Sequence, residues 1–208
     1  MSYDTHGRLE EAGCHKDAHG NYICGGKKKV AVFGSSRTDP ESGLYKSIEK
    51  MCRKLSNDGW LVVTGGGPGS MEAANKGASD VCLDGDTCTI AHAIHLPFEE
   101  EINHYVQDYT KHEEFYSRLH TFSQCDAFIV TPGGIGTLLE MALVYQLIQV
   151  SHLEKKPVIC VGRMWRTLRE WIEHEMLDSE FLSNEEIKLI HYVDRFSEAK
   201  SLLDGLTK

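Results

Sequence analysis

Glu140 is the residue with the most chemical promise, because of what precedes it. It closes the stretch Thr131-Pro-Gly-Gly-Ile-Gly-Thr-Leu-Leu-Glu140. The apolar run Ala127-Phe-Ile-Val130 before this stretch reads as a buried strand, and Met141 to Ile148 after it as a helix. A glycine turn between strand and helix lets backbone N–H groups converge on an anion, and the helix N-terminus adds partial positive charge. Gly133, Gly134, Ile135, Gly136 and Thr137 would form such a phosphate cradle, with the Thr137 hydroxyl as a further donor. Glu140 then lies one turn inside the helix, beside whatever the cradle holds. A phosphate cradle with a carboxylate beside it points to chemistry on a phosphorylated ligand.

A second turn of the same kind lies earlier. Trp60 to Thr64 reads as a strand, Gly65-Gly-Gly-Pro-Gly-Ser-Met-Glu72 follows, and Ala73 to Ala78 continues as a helix. The strand Lys29 to Phe33 also ends in small residues, Gly34-Ser-Ser36. In an open parallel sheet, such turns gather at the carboxyl ends of the strands, where ligands bind. Neither glycine turn is a dinucleotide fingerprint. Ser70 stands where the third glycine belongs, and Asp84 and Asp86 precede the next strand rather than end it. No lysine follows either turn as a P-loop requires.

With these residues the chain resembles the LONELY GUY family, long labelled "possible lysine decarboxylases". The resemblance rests on Gly34-Ser-Ser36, Thr64 to Ala78, Leu96-Pro97 followed by Asn103, Arg118, and Pro132-Gly-Gly-Ile-Gly-Thr-Leu-Leu-Glu140, and extends loosely from about Val30 to Leu203. It implies a Rossmann-type homodimer, or a higher oligomer, that cleaves the N-glycosidic bond of nucleoside 5′-monophosphates to free base and ribose 5-phosphate. By resemblance, Glu140 and Arg118 are the catalytic pair. Gly133, Gly134, Gly136 and Thr137 are the phosphate loop, and Gly66, Gly67 and Gly69 the other glycine loop. Ser35, Glu72 and Asn103 are base or ribose contacts. Lysine decarboxylation is not expected: no lysine marks a pyridoxal-phosphate site, and the scheme needs neither cofactor nor metal. The chain departs from plant-type members at Leu139, where they usually carry a second acid, and at Ile135, where they often carry an aromatic residue. These departures bear on which base is accepted more than on the chemistry. The alternative is a protein that binds without turnover, either a nucleotide sensor or a carrier of a phosphorylated pterin of the molybdenum-cofactor type.

The whole chain sets bounds on this reading. Its 208 residues suit one domain with a full core. A net charge of −9 argues against general binding of nucleic acid or anionic membrane. No apolar run approaches a membrane span and no signal-peptide core opens the chain, so a cytoplasmic place is expected. Seven scattered cysteines fit a reducing compartment better than a disulfide framework. Residues 1–28 read as an N-terminal arm, and 29–208 as the nucleotide-binding domain. Cys14, His15, His19 and Cys24 cluster in the arm, but their spacing fits no common zinc finger, and no second pair nearby completes one. Lys27 to Lys29 reads as a solvated edge.

The remaining pattern alternates. Helices are expected over Glu41–Asn57, Glu113–Ser123, Trp165–Met176 and Arg195–Leu206, with a short one near Asn184–Lys188. Strands are expected over Cys88–Leu96 and Pro157–Val161. His92 and His95 fall on opposite faces of the first of these strands, while His112 and His120 flank Arg118 and read as helix-surface residues. The fold class is α/β, with helices on both faces of a mostly parallel sheet in three αβα layers.

Overall fold

The structure is a computed structural model that describes residues 26–83, 85–95 and 101–207, together with strands β1 (Cys14–Lys16) and β2 (Tyr22–Cys24). The sheet strands are built from short β-branched and apolar runs. β3 (Lys29–Phe33), β4 (Leu61–Thr64), β7 (Ala127–Val130) and β8 (Val158–Val161) are buried along almost their whole length. Runs apolar on both faces suit strands covered by helices above and below. β5 (Thr89–Ile94) is also buried, whereas β6 (Asp108–His112) and β9 (His191–Val193) close the two edges. The seven strands lie in the order β6-β5-β4-β3-β7-β8-β9, every neighbouring pair parallel.

Six α-helices, among the described residues, cover the sheet: α1 (Gly43–Asn57), α2 (Ser70–Ser79), α3 (Phe115–Ser123), α4 (Ile135–Gln149), α5 (Arg163–Ile172) and α6 (Phe196–Leu206). Strand alternation splits the core into two slabs. Ala31, Phe33, Val63, Phe128 and Val130 face α3, α4 and α5 through Phe122, Met141, Val144 and Trp165. Val30, Val32, Val62, Ile129 and Ile159 face α1, α2 and α6 through Ile48, Leu55, Ala73, Ala78 and Leu203. This is the three-layer α/β architecture expected, and its sheet is parallel throughout.

The differences from the sequence reading are local. β6 is a strand where none was expected. Its residues Asp-Tyr-Thr-Lys-His alternate between buried or half-buried and exposed, because an edge strand has solvent on one side. His112 is therefore the last residue of β6 rather than a helix residue, while His120 is exposed on α3. The helix expected to run to Met176 leaves α-geometry after Ile172, and residues Glu173–Leu177 form a π-turn. Cys14–Lys16 and Tyr22–Cys24 pair antiparallel, with Cys14 opposite Cys24; His19 lies outside the described residues, as do Asp84 and Leu96-Pro97. Lys27 is not simply solvated, since its ammonium donates to the Asp86 carboxylate at 2.5 Å. The cysteines divide. Cys82 and Cys88 form a disulfide, against the reading of scattered thiols, and Cys52, Cys125 and Cys160 are free and buried. No helix of the described residues is long and apolar enough to cross a membrane.

The α1–α2 contact depends on one glycine. A Cβ added at Gly77 would lie 2.0 Å from the Glu49 carbonyl oxygen, so the two helices approach backbone to backbone. Overpacking of this kind costs about 1–3 kcal/mol. Gly77→Ala is expected to lower the urea midpoint by a corresponding amount at unchanged m-value. An unchanged midpoint would mean that the helices separate freely.

Candidate functional site

The chain runs from β3 outward to β6 on one side of the sheet, then returns to place β7 against the other side of β3. Loops leaving β3 and β7 therefore diverge, and a crevice opens between them at the carboxyl edge. Three turns meet there. A Cβ on Gly34 would fall 2.2 Å from Thr131 Oγ1 and 2.6 Å from Ser70 Cβ, so the turns after β3, β4 and β7 are in direct contact. Thr131 ties the first to the third, since its N–H and hydroxyl both donate to the Phe33 carbonyl, at 2.8 and 3.0 Å.

The turn after β7 leads straight into α4. Gly134 is the N-cap, and no side chain among the described residues caps the helix. The first N–H groups of α4 thus keep their donors for a ligand. Thr137 is buried and packs over Gly133, where a Cβ would meet its Oγ1 at 2.1 Å. Gly134 and Gly136 border open space, and Ile135 is 81% exposed. The side of the turn away from Thr137 is free for an anion to approach.

The turn after β4 is braced from beneath. Gly69 has φ +69°, and a side chain there would run into the Ser35 carbonyl oxygen at 2.5 Å. Ser70 N–H donates to that same carbonyl at 2.9 Å. The Asn103 amide donates to the carbonyls of Gly66 and Gly67 at 3.0 and 2.9 Å and to Asn75 Oδ1 at 3.0 Å. Asn75 also takes the Thr64 hydroxyl and reaches Thr89. Asn103 is 9% exposed, so here its amide serves the turn's own backbone. Ser35 stands at the same edge, its hydroxyl accepting from Arg37 N–H at 3.0 Å. Glu72, in the first turn of α2, accepts from the Tyr45 hydroxyl at 2.8 Å.

Arg118 and Glu140 come together between these turns. Arg118 Nη1 lies 3.2 Å from Glu140 Oε1, and both side chains are 11% exposed. The guanidinium has further restraints. Its Nε donates to the His92 carbonyl at 2.8 Å, and its carbon lies 5.0 Å from the Phe122 ring centroid. A Cβ on Gly65 would meet Nη2 at 2.5 Å, so only glycine leaves room for it. Burial pushes the Glu140 carboxyl above the ordinary carboxylate range, with Arg118 pulling the other way. Desolvation likewise works against the charge on Arg118, and Glu140 supports it. The direction that matters chemically is the upward one on Glu140: loss of water outweighs one ion pair. The result is a carboxylate that water hardly reaches, held by a fixed cation, next to an anion cradle.

Gly65, Phe122 and the His92 carbonyl were not singled out in the sequence. Phe122 could have been, since it stands four residues beyond Arg118 on one helix, where side chains meet. A backbone carbonyl carries no sequence signal. His92 itself is buried against Phe122 and His112, and His95 lies on the rim with Glu113.

A family profile described as "possible lysine decarboxylase" matches residues 71–203, well over half of the chain. The chain belongs to this family, the one also called LONELY GUY. Among solved structures it is similar to the molybdenum cofactor binding protein of the phototrophic bacterium Rippkaea orientalis, at 20% identity over 88% of this chain and 98% of that one, with a TM-score of 0.63. It is similar to the molybdenum cofactor carrier protein of Chlamydomonas reinhardtii at 20% identity over 88% and 99%, with a TM-score of 0.62. The structural-genomics target TM1055 is 25% identical over 86% and 99%, with a TM-score of 0.60. No curated protein matches significantly.

Asn103→Asp replaces the bracing donors with a carboxylate facing two carbonyls. A buried unsatisfied group costs about 1–3 kcal/mol. Faster amide exchange over residues 65–69 and a lower melting temperature are expected; wild-type exchange there would mean that the turn holds itself.

Proposed function

We propose that the protein hydrolyses the N-glycosidic bond of nucleoside 5′-monophosphates, releasing the base and ribose 5-phosphate. The observation that carries this reading is the buried Arg118–Glu140 pair beside the uncapped start of α4. A protein that merely holds a phosphate gains nothing from a desolvated carboxylate next to it, because like charges repel. An enzyme that must stabilise an oxocarbenium-like ribose gains directly. In this scheme the N–H groups of Gly134 to Thr137 bind the phosphate. Glu140 faces the anomeric carbon and activates water, and Arg118 keeps Glu140 ionised and oriented. Binding is then chiefly backbone work, so monophosphates are preferred over nucleosides, which leave the cradle empty. Neither metal nor redox cofactor has a part in these steps.

The second reading is a carrier of a phosphorylated pterin. It is favoured by the likeness to two proteins named for binding or carrying the molybdenum cofactor. The two readings separate in one experiment. A panel of purine and pyrimidine monophosphates, with AMP first, is incubated with the protein and free base is measured. Base release supports the hydrolase; tight binding without release supports the carrier.

Glu140→Gln keeps shape and removes charge. It is expected to bind AMP within a few-fold of wild type and to lose base release by about 100-fold or more. Activity within a few-fold of wild type would remove Glu140 from the mechanism. The ionised carboxylate is the working form, so kcat/KM should fall as pH is lowered, on a limb displaced above the ordinary glutamate range. Arg118→Met removes the group that opposes this displacement, so its limb should move to still higher pH. A limb that stays put would mean the two groups do not interact in the working enzyme.

The active form is at least a dimer in this proposal. α4 is apolar around its circumference, and its outer side carries Ile135, Leu139 and, just past its end, Val150, all exposed. Phe115 and Tyr116 of α3 are exposed as well. The same stripe of a symmetry mate is the economical cover, and it would close the crevice near Arg118. Leu139→Glu is expected to give monomers by light scattering and to abolish hydrolysis; a monomeric wild type that still releases adenine would refute the assembly.

A further inference from the structure

The loop from α2 to β5 gathers a set of groups that the nucleotide crevice does not use. Cys82 Sγ, a carboxylate oxygen of Asp86 and Cys88 Sγ all lie within 4.8 Å of one another. The two sulfurs are bonded to each other as a disulfide, and Asp86 Oδ2 is 3.8 Å from Cys88 Sγ. Cys82 and Asp86 are half-buried, so the loop is open on one side. None of these residues belongs to either glycine turn.

We propose that, once the disulfide is reduced, Cys82, Asp86 and Cys88 bind a divalent transition-metal ion of the zinc class. A dithiol reductant supplies two electrons and two protons to the S–S bond and leaves as its own disulfide. The ion then replaces the two thiol protons, which pass to solvent. Two thiolates and a carboxylate are a ligand set suited to zinc, and water completes the tetrahedron.

The surroundings are arranged for such an ion. Lys27 Nζ donates to Asp86 Oδ1 at 2.5 Å and to the Thr87 carbonyl at 3.0 Å. Nζ also donates to Oδ2 at 2.5 Å; the ion would displace that bond, and Lys27 keeps those to Oδ1 and the Thr87 carbonyl. Two thiolates and Asp86 then carry three negative charges, and the ion with Lys27 three positive ones, so the cluster closes neutral. Gln107 Nε2 donates to Cys82 Sγ at 3.4 Å, a bond that strengthens on a thiolate. Gln107 Oε1 also holds the N–H groups of Cys88 and Thr89, at 2.8 and 3.1 Å, and so fixes the backbone beside the second sulfur. Outer partners of this kind orient ligands and tune affinity. Gly85, with φ +80° and open space around its Cβ position, lets the loop adjust as the sulfurs part to metal-binding separation. The three other described free thiols are poor competitors, since Cys52, Cys125 and Cys160 are all buried.

The test uses the full chain, reduced with dithiothreitol, freed of it without air, and titrated with Co²⁺. Saturation near one equivalent is expected, with sulfur-to-cobalt charge-transfer absorbance in the near ultraviolet and the visible bands of a tetrahedral ion, both removed by Zn²⁺. Cys82→Ser and Cys88→Ser should each weaken uptake by about 100-fold, and Asp86→Asn by about tenfold. Circular dichroism checks that each variant is folded. The oxidised chain should take up no cobalt. Three results would overturn the proposal: no cobalt uptake by the reduced chain, uptake unchanged in Cys82→Ser, or uptake lost in a Cys14→Ser/Cys24→Ser variant, which would move the ligands to the N-terminal hairpin. Base release from AMP is not a readout here, so this result stands apart from the hydrolase reading.

Discussion

Holding the Arg118–Glu140 ion pair out of water is the constraint around which the rest of the crevice is organised. Two charges that lose their hydration must find fixed partners, or the site relaxes or neutralises. Arg118 has three restraints besides Glu140: the His92 carbonyl, the Phe122 ring face and the Gly65 backbone. Each comes from a different element, β5, α3 and the turn after β4. The pair can exist only when the sheet, the helix layer of α3 and α4, and a glycine turn are all in place. Removing one partner of such a pair typically costs about 3–5 kcal/mol, because the other charge is left buried and unpaired.

The same economy governs the three turns. They are packed so closely that glycine is required where they touch, at Gly34 and Gly69. Close packing there brings the open end of α4 and the turn after β4 to face one crevice. The polar layer of Thr64, Asn75, Thr89 and Asn103 then absorbs the carbonyls that so tight a turn would leave buried. Rigid backbone around a ligand site reduces what binding must spend on ordering, whether the ligand is turned over or carried.

Family membership and fold leave hydrolase and carrier both standing, because a fold hosts many functions and a site decides among them. The hydrolase proposal rests on one buried carboxylate paired with Arg118, a feature common at catalytic sites, and the carrier reading on the likeness to two molybdenum-cofactor proteins.

Much of this was legible from the chain. Strand Ala127–Val130 and the helix after it follow from an apolar run, a glycine turn and a change of period, and Glu140 follows from its spacing to Gly134. The two glycine turns and the α/β alternation were local signals of the same kind. Other features had no local signal. β6 is polar because it is an edge, and an edge is defined by which strands lie beside it. Asn103 looked like a ligand contact, but its amide is engaged 36 and 37 residues away, at Gly67 and Gly66. Cys82 and Cys88 looked scattered until the loop closed on itself. Pairing, desolvation and proton affinity depend on what stands nearby in space, often from another element, and only the folded chain decides that.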